Sequence, residues 1–170
     1  MLPAEITVTP LTSAEIDLVY PLVQSLHPAP SRVAWRRHAR RCLAAAAHGR
    51  GGIMVARRAG REHPSGLCCY RKEWDFQRGP VLTASHFVAL DILDPAPVLA
   101  ALADGLAALA VRLGCVEARA LVAGEAAGAL AGSGLRHAGE VLDMRVGDMR
   151  VGGAASAPAR RAGSAPSPAG

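Results

Sequence analysis

Lysine is nearly missing from this sequence: Lys72 is the only one, and every other basic residue is arginine. Aromatic residues are scarce too, at 4% of the 170 positions, so any core must be built from Leu, Val and Ala. An excess of one charge is weak. The formal net charge is +5, and without Arg160 and Arg161 near the C-terminal end it falls to +3, too slight a field to argue for a nucleic-acid partner. Cys42, Cys68, Cys69 and Cys115 form no C-x-x-C pair. That argues against a zinc site or a disulfide framework and predicts four small buried thiols in a reducing cytoplasm, with no metal. The first five residues have neither a basic stretch nor a long apolar run, so no signal peptide is expected. The most apolar helical stretch, 95–113, contains Asp104 and Arg112 and does not read as a membrane span.

What is present suffices for one folded domain. Half the chain is hydrophobic (51%), and the length suits a single domain over 1–150. From Gly152 on the chain is Gly, Ala, Ser, Pro and Arg with nothing to bury, and residues 151–170 read as a disordered tail. Ile6-Thr7-Val8-Thr9 alternates as a strand. Thr12 and Glu15 have capping-box spacing, and the helix that follows places Ile16, Val19, Tyr20, Val23 and Leu26 on one face, with Pro21 expected to kink or split it. His27-Pro28-Ala29-Pro30 ends it. Ser31 caps a second helix over 32–48, with Trp35, Cys42, Leu43 and Ala46 inward and Arg32, Arg36, Arg37, Arg40 and Arg41 outward, either a solvated face or a patch for an acidic partner. Strands are expected at 53–57 and 66–72 as a hairpin. A loop follows at 74–80, whose Trp74 and Phe76 either line a pocket or pack over the sheet edge. A third, mostly apolar strand over 81–89 reads as the sheet centre, buried on both faces. Val98, Leu102, Leu106, Leu109 and Leu113 recur at helical spacing, closed by Gly114. A strand at 118–122, a short helix near 125–131 and a last strand at 140–146 complete the order β-α-α-β-β-β-α-β-α-β. The strand–helix–strand unit from 81 to 122 should be a right-handed crossover with parallel strands.

This order resembles the GCN5-related N-acetyltransferase (GNAT) superfamily. The run from Leu106 to Leu113-Gly114-Cys115 is similar to that family's third helix, the stretch from Ala126 to Gly134-Leu135 to its fourth, and the stretch from Val141 to Val146 to its last strand. The resemblance covers roughly residues 5–148. It implies an α+β fold with a central, mostly antiparallel sheet, one β-α-β unit and helices on both faces. It also implies N-acetyl transfer from acetyl-CoA to an amine, either a small molecule or a protein N-terminus or lysine. The family binds the cofactor's pyrophosphate with an Arg/Gln-x-x-Gly-x-Gly/Ala loop entering the third helix. Counted back from Gly114, that motif falls on Asp94-Pro95-Ala96-Pro97-Val98-Leu99. Two prolines there lack the N–H a phosphate needs, and Asp94 suits a helix cap, with Pro95 as first helical residue. The resemblance therefore implies acetyl-CoA binding that is weakened at the pyrophosphate.

By the same alignment, the tyrosine that often protonates the leaving thiolate is replaced by Leu130, and the asparagine that often opens the fourth helix by Ala123. His86, in the middle of the third long strand, and Glu73, before the Trp74 loop, are the candidate bases. The pantetheine arm would pair with the backbone of Val88, Ala89 and Leu90, and the helix start would present Val98 and Leu99. The alternative class is a non-catalytic GNAT-like module that binds a small molecule or a protein.

Overall fold

The computed structural model describes residues 5–90 and 94–122 of the chain. The alternating N-terminal stretch forms β1 (Ile6–Pro10). At the following turn, Glu15 Oε2 accepts from both the backbone N–H of Thr12 (2.9 Å) and its hydroxyl (2.7 Å), the reach-back half of a capping box. A single 3-10 turn (Ser13–Glu15) results, and α1 begins only at Tyr20 (Tyr20–Leu26). Pro21 thus divides the helix as its missing donor dictates, and sits in the first turn of α1, where that donor is not needed. Ile16, Val19, Tyr20 and Val23 are buried across the break. Helix α2 (Arg32–Ala46) starts at Ser31, whose Oγ accepts from the Ala34 N–H.

The strands β2 (Gly51–Arg58), β3 (Gly66–Asp75) and β4 (Gly79–Ala89) form an antiparallel meander with β1. Helix α3 (Ala96–Arg112) then leads to β5 (Glu117–Ala120), which pairs parallel to β4. Among the described residues the sheet order is β1-β2-β3-β4-β5. This is the expected α+β architecture with its one β-α-β unit. The helix near 125–131 and the strand at 140–146 lie outside the described residues, as do Leu130, Ala123 and the tail.

Three expectations change. The 74–80 loop is mostly strand: β3 runs to Asp75 and β4 starts at Gly79. Asp75 Oδ1 accepts from the N–H groups of Gln77 (3.0 Å) and Arg78 (3.1 Å), and Gly79 takes φ +96°, so three residues suffice to turn the hairpin. Among the described residues Trp74 and Phe76 neither line the main clefts nor cover an edge; they are 77% and 87% exposed at the hairpin tip. Finally, β3 rather than β4 is central among the described strands, and β4 is buried on both faces only at Val81, Leu82 and Ala84, before it reaches exposed His86.

The pleat sends alternate side chains to two cores. Ile53, Val55, Leu67, Cys69 and Val88 pack under α1 and α2 with Val19, Trp35 and Ala39. Met54, Ala56, Cys68, Leu82 and Ala84 pack under α3 with Val98, Leu102, Leu106 and Ala110. Helices therefore cover both faces. Cys68 and Cys69 separate to opposite faces as neighbours in a strand must, and all four cysteines are free. Cys42 and Cys115 are half-buried rather than buried, because each lies at the margin of its helix–sheet contact. No helix among the described residues is long and apolar enough to cross a membrane.

Candidate functional site

The site is built on an irregularity in β4. Leu67 pairs with Val88 and Cys69 with Ser85, so His86 and Phe87 together oppose Cys68. That two-against-one count is a β-bulge, and His86 takes φ +54° to make it. Among the described residues no other non-glycine has a positive φ. A histidine held in the left-handed region costs backbone energy, which surrounding structure must offset.

Among the described residues, the bulge coincides with the end of pairing on the other edge of β4. Val81–Ala84 pair with Glu117–Ala120, and the Leu121 N–H donates to the Ala84 carbonyl (2.8 Å). Beyond Ala84, β4 has no described partner on that edge. The Leu90 N–H donates to the Ser65 carbonyl at 2.8 Å, toward β3. Backbone direction alternates along a strand, so Val88 also points to β3, while Phe87 and Ala89 present their N–H and C=O groups to the open edge. Of the three backbone positions expected to meet a pantetheine arm, Ala89 alone faces that opening; Val88 and Leu90 are committed to the sheet.

His86 does not stand alone. Its ring lies 5.7 Å from that of His27, at the end of α1, and 6.2 Å from that of His38, on α2, both nearly perpendicular to it. Partial burial, and then the two neighbouring imidazoles, hold the His86 pKa below the usual histidine value, so the ring is neutral near pH 7. His38 Nε2 in turn lies 3.5 Å from Cys42 Sγ and 3.6 Å from Cys69 Sγ. Three imidazoles and two thiols thus meet on the α1/α2 face beside the bulge. None of His27, His38, Cys42 and Cys69 stood out in the sequence. The spacing of His38 and Cys42, four residues apart on one helix, was the available signal.

The second candidate base is elsewhere. Glu73 lies opposite Val81, and His86 opposite Cys68, so the two are about five residues apart along β3, roughly 17 Å. Glu73 Oε2 accepts from Thr83 Oγ1 at 3.0 Å, and its other oxygen lies 3.7 Å from Arg71 Nη1. These contacts hold it in a surface cross-strand cluster. The structure does not bring Glu73 and His86 together.

At the entry to α3, the helix begins at Ala96, one residue later than expected, because the Pro95 backbone is already helical and its carbonyl accepts the first bonds. Asp94 is therefore not the N-cap, yet its carboxylate still captures the Ala96 N–H (2.9 Å). Pro97 has none to give. The N–H groups of Val98 (3.1 Å) and Leu99 (3.0 Å) both donate to the Pro95 carbonyl, and both side chains are buried. Every amide of the first turn of α3 is either absent or already bonded.

Solved structures share this fold. An aminoglycoside N-acetyltransferase, AAC(6')-Iy in complex with CoA, superposes with a TM-score of 0.70 over 84% of this chain and 95% of its own, at 15% identity. Glucosamine-6-phosphate N-acetyltransferase from Arabidopsis thaliana superposes at 0.69 over 84% and 99%, at 11% identity. The aminoglycoside 6'-N-acetyltransferase AAC(6')-Ih from Acinetobacter baumannii superposes at 0.69 over 83% and 97%, at 13% identity. The chain has the GNAT fold. No family model and no curated protein matches the sequence. In this chain the β4 edge at Phe87 and Ala89, the His86 bulge and the start of α3 remain the candidate positions for a site.

Proposed function

We propose that this protein is an N-acetyltransferase of the GNAT fold that transfers an acetyl group from a thioester donor to a small-molecule amine, with little help from the donor's pyrophosphate. The observation that carries the reading is the open edge of β4 beside the bulge. Phe87 and Ala89 turn outward there backbone N–H and C=O groups that no described residue takes, which suits the extended, amide-bearing arm of acetyl-CoA. The start of α3 fits a pyrophosphate poorly, since its first-turn amides are absent or bonded and Asp94 adds a negative charge. Bound acetyl-CoA supplies the activated acyl group. The chain's own part begins at His86, whose neutral ring accepts the proton of the attacking ammonium or amine, directly or through water. Partial burial, with His27 and His38 beside it, keeps that ring neutral. Glu73 lies too far along β3 to share the role.

An amine substrate is supported by the structural neighbours, an aminoglycoside N-acetyltransferase and a glucosamine-6-phosphate N-acetyltransferase. Four unpaired thiols agree with a reducing, cytoplasmic setting. A second reading, a GNAT-like module that binds without catalysis, is favoured by the same committed amides at α3. Release of free thiol from acetyl-CoA and from acetyl-pantetheine over a panel of amines separates the two. Turnover with both donors at comparable kcat/KM supports the proposal, and no release from either, with no shift in Tm, leaves the binding module.

A further inference from the structure

Two cysteines and one histidine share a single contact point next to this site. His38 and Cys42 lie one turn apart on α2, and Cys69 rises from β3 beneath them. His38 Nε2 reaches both sulfurs, at 3.5 and 3.6 Å. Cys69 is buried and Cys42 half-buried. Cys42 and His38 open onto a cleft of about 670 Å³, whose other lining residues include Arg41, His48, Arg50 and Arg71 and, among the described residues, no carboxylate. Tyr70, whose ring occupies the space above Gly52, and Lys72, whose Nζ donates to the Leu113 carbonyl at 2.6 Å, close its far side.

We propose that Cys42 and Cys69 form a reactive dithiol, in which Cys42 attacks small anionic disulfides entering the cationic cleft and Cys69 resolves the product. A cysteine beside an imidazole and several guanidinium groups is held as thiolate, whereas one sealed in apolar surroundings stays inert. The electrostatics agree with the geometry. A hydrogen bond from Cys69, then His38 and Arg71, outweigh burial and pull Cys42 down to about 5. The Cys42 contact and burial push Cys69 up, and the hydrogen bond with Cys42 raises His38. Near pH 7 Cys42 is the thiolate of the pair and Cys69 the thiol, and the contact with Cys42 favours the protonated ring of His38. The other groups facing it are Arg41 on α2 and His86 on β4, with His27 behind. By contrast, burial pushes Cys68 up to about 12, on the opposite face.

The chemistry balances. Cys42 Sγ attacks one sulfur of the disulfide, a new S–S bond forms and the old one breaks, and the departing thiolate takes the His38 proton. Neutral His38 then accepts the Cys69 proton. The Cys69 thiolate attacks the Cys42 sulfur, displaces the second thiolate, and His38 protonates it. Two electrons pass from the protein dithiol to the small disulfide, which leaves as two thiols, and α2 is joined to β3 by a Cys42–Cys69 bond.

The test uses the full chain in reduced form. Oxidised glutathione, an anionic disulfide, is compared with cystamine, a cationic one, and the products are located by peptide mapping after alkylation. A Cys42–Cys69 link should form, and in Cys69→Ser a stable mixed disulfide should remain on Cys42. At low salt the anionic reagent should react at least roughly tenfold faster, an advantage that high salt removes. Alkylation of Cys42 by iodoacetamide should persist below pH 7 and fall off near pH 5, while His38→Asn should move that midpoint up toward the free-cysteine value of about 8.5. The proposal is overturned if wild-type Cys42 titrates like a free thiol, if Cys115 is modified as fast, or if the Cys42–Cys69 link does not form. Equal rates with the two disulfides would overturn the role of the cationic cleft. The wild-type profile decides the matter without any variant that must fold.

Discussion

Replacing Asp94 with alanine tests the start of α3 most directly. In the native chain the Asp94 carboxylate takes the Ala96 N–H at 2.9 Å, and this is the one first-turn amide of α3 held by a side chain rather than by the backbone. Removing the carboxylate frees that donor and removes a negative charge where a pyrophosphate would lie. A hydrogen bond to a charged acceptor contributes about 1.5–3 kcal/mol, and each 1.4 kcal/mol is tenfold in Kd. Acetyl-CoA should therefore bind roughly 10- to 150-fold more tightly to Asp94→Ala. Acetyl-pantetheine, which has no pyrophosphate, should bind both proteins alike. Losing the capping interaction should cost stability by about 0.5–2 kcal/mol, a cost measured separately by urea denaturation. Titration calorimetry with both donors on both proteins gives the four affinities needed. The reasoning fails if wild type already prefers acetyl-CoA over acetyl-pantetheine by more than about a hundredfold, or if the substitution leaves that preference unchanged.

Other outcomes follow from single contacts. His86→Gln should lower kcat at unchanged Tm. Because the folded His86 pKa is below the usual value, the acid limb of the wild-type kcat/KM profile should lie below about pH 6.5, and a limb above pH 7 would remove His86 as the base. Trp35 Nε1 donates to the Ile16 carbonyl at 2.7 Å inside the core, so Trp35→Phe leaves that carbonyl unpaired and should destabilise by about 1–3 kcal/mol in urea; a loss near zero would mean the bond does not tie α2 to the turn before α1. A Cβ on Gly66 would meet Val98 Cγ1 at 2.5 Å and the Val88 carbonyl oxygen at 2.9 Å. Gly66→Ala should cost about 1–3 kcal/mol, and adding Val98→Ala should recover part of it, whereas strict additivity of the two losses would deny that α3 rests on β3 there.

Much of the fold was legible from local pattern. Alternation over 6–9, the Thr12–Glu15 pair, Ser31 before α2 and the leucine spacing of α3 act within one turn or one strand, so each reads directly from neighbouring residues. Pro21 dividing its helix is of the same kind. The donors of Asp94-Pro95-Ala96-Pro97 could also be counted in advance, because a missing proline N–H is a covalent fact.

The site itself was not legible. His86 was singled out, but as a residue of a continuous strand. The bulge that re-aims it depends on how β4 registers against β3, where Leu67 meets Val88 and Cys69 meets Ser85. Glu73, the other candidate base, stands apart from it, because antiparallel pairing places the two far apart along the sheet. His27, His38, Cys42 and Cys69 come from α1, α2 and β3, and only packing of those elements brings their rings and sulfurs together.

The sequence by itself determined most of the described helices and strands, and that the start of α3 would be poor in amide donors, because propensity, capping and the covalent form of proline are local. The tertiary structure alone decided where β4 opens, which backbone groups face that opening, and that two unremarkable cysteines share one imidazole. Register and long-range contact fix those features, and neither has a signature in neighbouring residues.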